Sequence, residues 1–237
     1  MIALPSQGST LAFLFIVASV IAMFCWAHQY TTKDKSGLRN ALIFCVAWLA
    51  ITGMLPLAKI AGSEAVNIQT AVFIIVLLSV IIVAFSAYGK RMSLGVPIIF
   101  LVSIHMFRFP LELVLHQWWR DGFLPIQMTY AGDNFDIITG CFAIILGAVL
   151  WKFKLPLWAI ALFNVIGIIL LARILIIVNL TNPTPLRDYF GGYTTGPQIL
   201  VGLYLPYVWL PTILVSAALF FHIVLARKLF AMRLINQ

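Results

Sequence analysis

Charged side chains are scarce in this 237-residue chain: Asp, Glu, Lys and Arg together make up 9% of it, and only seven residues are acidic. A soluble domain carries about 25%. With 63% of the residues apolar and a mean hydropathy of +1.07, too few polar groups remain to build a water-facing surface. A bilayer solvates such a chain instead. No polar stretch is long enough for a linker or a second domain, so residues 1–237 are read as one domain.

Other absences narrow the chemistry. Only three cysteines occur, Cys25, Cys45 and Cys141, all within apolar runs and without CxxC or Cys/His spacing. That excludes a metal knuckle and a disulfide framework. The last apolar run has no lysine in its interior, Lys228 lying at its end, which excludes a retinal Schiff base. No nucleophile elbow or internal repeat is visible, although many transporter folds are duplicated. No motif names a cofactor. The net charge of +8 comes from residues scattered in short clusters between apolar runs, a membrane arrangement rather than a nucleic-acid surface.

What the chain does have is apolar length. A spanning helix needs about 20 apolar residues. Seven runs are predicted to qualify: Thr10–Ala27, Ala41–Leu57, Ile68–Tyr88, Leu94–His116, Phe135–Trp151, Leu155–Asn179 and Ile199–Leu225. The expected fold class is an all-α membrane bundle of seven transmembrane helices. No Lys or Arg precedes the first run, whereas Lys33, Lys35 and Arg39 follow it. This predicts a retained helix with its N-terminus outside. With that orientation ten basic residues fall in cytoplasmic segments: those three, then Lys90, Arg91, Lys152, Lys154, Arg227, Lys228 and Arg233. Three fall outside, Lys59, Arg120 and Arg187. The C-terminus is then cytoplasmic, and the expected location is the inner membrane of a bacterium. Acidic residues show the reverse bias, with Glu64, Asp121, Asp133 and Asp188 outside and Asp34 inside.

The fourth run holds the strongest signal. His105, Arg108, Glu112 and His116 are spaced three, four and four residues apart, which places them within a stripe about 80° wide on one helix face. His105 falls near the midplane. Ionisable groups at such depth are expensive, face a bundle interior and mark functional sites by default. Pro110 removes a backbone donor and displaces the carbonyl of Met106, so a kink is predicted there.

Partners for the stripe come from the next helices. Asp136, Gly140, Ala143 and Gly147 share one face, and small residues in this pattern let helices approach closely. Asp136 is thus the first candidate partner for Arg108. Asp133 reads as a first-turn acid. Arg173 either adds a second positive charge or reaches the outer headgroups, and Asn164 lies on the opposite side of its helix. Pro206 and Pro211 predict kinks in the last span. The stretches 117–134 and 180–198 read as outer loops, each a candidate cover for the site.

Three function classes fit these residues. The first is a small-solute or proton-coupled transporter, or a related ligand-binding membrane protein, whose site faces outward. It would use His105, Arg108, Glu112, His116, Asp136 and Arg173, with a small anionic or lipid-like ligand drawn to the arginines. The second is an intramembrane enzyme acting on a lipid or isoprenoid substrate. Glu112 and His116 would be its acid/base couple, or would join Asp133 around a metal. The third is a structural or sensory subunit whose stripe docks a partner span. A purely structural reading makes the stripe a buried ion pair with core histidines. Haem ligation by paired histidines is not expected, because His28 and His222 are placed near the cytoplasmic ends.

Overall fold

The computed structural model describes residues 4–33, 35–58, 63–182, 185–193 and 196–235. Lys59, Asp34 and Pro183 lie outside them. No strand occurs among the described residues. Ten α-helices follow one another: α1 Gln7–Thr32, α2 Lys35–Gly53, α3 Ser63–Phe85, α4 Ala87–Gly95, α5 Ile98–Ser103, α6 Arg108–Arg120, α7 Ile137–Lys152, α8 Leu157–Thr181, α9 Pro185–Phe190 and α10 Ser216–Ile235. In lipid every backbone polar group must be satisfied within the chain, which is why so apolar a sequence settles on helices.

Among the described residues six stretches are long and apolar enough to cross a membrane: α1, most of α2 and α3, the continuous run Ile98–Arg120, α8, and Leu210–Leu234. The helix α7 is equally apolar but has 16 residues. The chain is a polytopic membrane protein.

Two of these helices are broken where proline predicts it. Between α5 and α6, residues Ile104–Phe107 tighten into a 3-10 turn, and the Arg108 amide donates to the carbonyls of His105 and Met106. Pro110 lies two residues further on, so its ring clears the Met106 carbonyl by this tightening rather than by a free kink. Ahead of α10, Leu210–Val215 widens into a π-helical turn around Pro211. Trp48 of α2 donates its indole N–H to the Thr212 carbonyl within that turn at 3.0 Å.

The last span therefore starts later than predicted. Residues 199–209 form a partly buried irregular stretch with a short 3-10 turn at Val201–Leu203, and the membrane-length helix runs from Leu210 to Leu234. Asn182 holds that stretch in place, accepting from the Ile199 amide at 2.7 Å and donating to its carbonyl at 3.1 Å. Gln69 of α3 donates to the same carbonyl.

Contacts sort the helix ends into two groups. At one end Ser6 bonds to Asp121, Thr10 to Tyr207 and Tyr193 to Asp133. At the other, His28 meets Tyr88, Arg227 donates to the carbonyls of Ala84 and Ser86, and Lys228 donates to those of Ser93 and Leu94. Two apolar clusters fill the bundle between these ends. One gathers Phe13, Phe107, Leu111, Trp118, Ile174 and Leu214; the other gathers Met92, Leu101, Ile104, Phe163, Phe221 and Leu225. Along α5–α6 their junction falls at His105–Arg108, where the polar residues collect.

Candidate functional site

Arg108 is the hub of this junction, with only 1% of its surface exposed. Its Nε donates to Asp136 Oδ2 at 2.7 Å. Asp136 comes into range because α7 packs closely along α6: a Cβ at Gly140 would run into the backbone of Phe109, and one at Gly147 into Ser103. The small-residue face thus sets the distance between the two charges.

Arg108 Nη1 lies 3.1 Å from His222 Nε2. Guanidinium has no acceptor, so His222 Nε2 must accept and Nδ1 must carry the ring proton. That proton points to Asn164 Oδ1 at 2.8 Å. His105 stacks on His222 with ring centroids 3.8 Å apart, and Phe163 meets His105 edge-on. Neither nitrogen of His105 has a protein partner. The close approach of α8 requires Gly167, where a Cβ would strike the His222 ring.

Glu112, one turn above Arg108, is also 1% exposed. Asn134 donates its amide to Glu112 Oε1 at 2.8 Å. That amide is itself oriented, donating to the Met128 carbonyl while its oxygen accepts from the Asp136 amide. Glu112 Oε2 and Arg108 Nη2 have no partner. The cluster therefore holds two carboxylates against one guanidinium, and Asp136 Oδ1 is without a hydrogen-bond partner as well.

Arg108, Glu112 and Asp136, which carry these unpartnered atoms, all line a cavity of about 650 Å³. It extends from Arg108, Glu112, Asn134 and Asp136 toward the end where α2 finishes and α3 begins. Its other walls are apolar, chiefly Phe73, Leu111, Leu171, Ile174 and Leu214. The volume lies within the roughly 300–1,000 Å³ usual for small-molecule sites, which are mainly apolar with a few converging polar groups.

Other expected site residues lie elsewhere. His116 is absent from the cavity wall, and its ring stacks on Tyr130 at 4.7 Å. Arg173 does not join Arg108: its side chain is 43% exposed, bonds to the carbonyl and carboxylate of Asp133, and covers the Phe135 ring. Asp133 is fully engaged, since Tyr193 donates its hydroxyl to Oδ2 at 2.6 Å. That bond, with the phenol proton held by a carboxylate, raises the Tyr193 pKa. Glu112, His116 and Asp133 therefore do not assemble as a metal shell, and no group of three metal-ligating side chains occurs among the described residues.

His222, Asn164 and Asn134 belong to the cluster without having been predicted for it. A last span that begins at Ile199 puts His222 near a cytoplasmic helix end. With the helix at Leu210–Leu234, it falls mid-span. His222 uses both ring nitrogens, so its pairing with His105 still offers no haem ligand set. No family model, curated protein or solved structure matches the chain. The reading therefore rests on geometry.

Proposed function

We propose that this chain is a seven-span membrane protein, N-terminus outside and C-terminus cytoplasmic, that binds a small ligand in the cavity and couples its occupancy to a proton on Glu112. This is the working principle of a proton-coupled transporter. One observation carries the reading: a carboxylate buried in the cavity wall has one oxygen held by Asn134 and the other unpartnered. An ion pair kept only for packing explains Arg108 and Asp136 but leaves Glu112 unexplained, because an unpaired buried charge is strongly destabilising. The enzyme alternative is weakened by the departure of His116 from the wall and of Asp133 to Arg173 and Tyr193.

The two arginines are not free to draw an anionic ligand. Arg108 is already shared between Asp136 and His222, and Arg173 faces Asp133.

The test uses proteoliposomes that enclose a pH-sensitive dye, with a membrane potential imposed. The wild type is expected to carry protons inward, and Glu112→Gln to fall to the level of protein-free vesicles. A wild type no faster than empty vesicles sinks the transport reading.

A further inference from the structure

The charge balance of the cavity restricts what can occupy it. Arg108 and Asp136 neutralise one another at 2.7 Å, so Glu112 is the surplus charge. The charged and titratable groups around it can be named. Arg108 lies on its own helix, Asp136 at the head of α7, His222 and His105 behind Arg108, and Tyr204 on the far wall. Among the described residues, the lining of α3 and α8, which includes Gln69, Phe73, Leu171, Ile174 and Asn179, carries no formal charge. An arriving anion would therefore face two carboxylates and one guanidinium already engaged. A neutral molecule would leave the surplus where it was. A single positive charge balances it.

Resting on the proton-coupled reading above, we propose that the cavity takes an amphipathic monocation, an ammonium or similar cation on an apolar body, in exchange for the proton on Glu112. The exchange balances: the Glu112 O–H bond breaks, the proton leaves to solvent, and the ligand's positive charge takes its place beside Oε2. No covalent bond to the ligand forms. The apolar walls suit the body, and Phe73, Phe107 and Tyr204 in the lining suit the head, since aromatic faces attract quaternary ammonium groups. Arg108 Nη2, a donor without a partner, tolerates a hydroxyl or carbonyl next to the charge but requires none.

The test compares octyltrimethylammonium, octanol and octyl sulfate, which share a tail and differ in head charge. Each is titrated by calorimetry into the full-length protein in nanodiscs. Repeating the titration in buffers of different ionisation enthalpy counts the protons released. The expected result is that the cation binds roughly tenfold or more tighter than the other two, as opposite charges in a desolvated site require, and releases a proton. Glu112→Gln should remove that preference and the proton release while octanol binding persists, which shows that the cavity is still formed. Equal or tighter binding of octanol or octyl sulfate overturns the proposal, as does a Glu112→Gln protein that keeps the preference. Glu112-dependent cation binding without proton release keeps the ligand class and removes the proton coupling. Proton flux in vesicles with no preference for the cation does the reverse.

Discussion

Arg108 divides its guanidinium three ways: one nitrogen to a carboxylate, one to an imidazole and one toward the cavity. The first contact matters most for folding. Removing one partner of a buried ion pair strands the other and costs about 3–5 kcal/mol, whereas replacing both with apolar groups of similar volume is often neutral. Arg108→Ala and Asp136→Ala are each expected to lower thermal stability in detergent by that amount. Arg108→Met with Asp136→Leu should recover most of the loss. Additive losses in the double variant would mean that Asp136 is not what Arg108 chiefly needs. The pairing itself was legible in the sequence, because a positive charge at mid-span and an acid heading a small-residue face have few other ways to be satisfied. Asn134 was not legible. Its role depends on a turn in which the Asn134 amide closes on the Thr129 carbonyl, and no spacing rule along a helix reports that.

At the scale of elements, the site depends on how near α7 can come to α6. Gly140 stands one turn beyond Asp136 on the same face, and a methyl group there would meet the Phe109 backbone, which has no rotamer to yield with. Gly140→Ala is therefore expected to push the helices apart and destabilise the protein by about 1–3 kcal/mol, the usual range for overpacking. It should weaken the Arg108–Asp136 contact as well. Gly8→Ala serves as the control, because its Cβ would meet nothing within 4 Å and no loss is expected. Comparing the two melting temperatures decides the matter; equal behaviour would show that the close approach is dispensable. Helix interiors were readable from apolar length, and the break near Pro110 from proline chemistry. The start of the last span was not. Residues 199–209 are as apolar as a helix, yet they are held irregular by Asn182 and Gln69 from two other helices. That long-range bonding moved His222 from a helix end to the centre of the site.

For the whole molecule, the decisive element is the short one. Sixteen residues of α7 rise about 24 Å, against a hydrocarbon core of about 30 Å. If α7 turned back within the membrane, the bundle would have six crossings and its two termini would share a side. Packing argues for a crossing. Gly140 lies against Phe109 and Gly147 against Ser103, so α7 descends antiparallel along the start of α6, the 3-10 turn and α5. Its head sits beside Arg173 and Tyr193 through Asp133. Its foot carries Lys152 and Lys154, followed by Leu155 and Leu157 packed on the cluster that holds Met92 and Leu229. Basic residues at one end only are what the positive-inside rule requires of a cytoplasmic face. The missing length is small enough for local thinning of the bilayer to absorb at modest cost. Single cysteines placed at Asp121 and Lys154, with Cys25, Cys45 and Cys141 replaced by alanine, report the two sides of α7 directly. In intact cells a membrane-impermeant maleimide is expected to label Asp121→Cys and to reach Lys154→Cys only after permeabilisation. Labelling of both from outside would place α7 as a re-entrant helix and reverse every segment that follows it. The basic ends of α10 and α4, joined through Arg227 and Lys228, would then have to lie on opposite faces, and those hydrogen bonds would be lost.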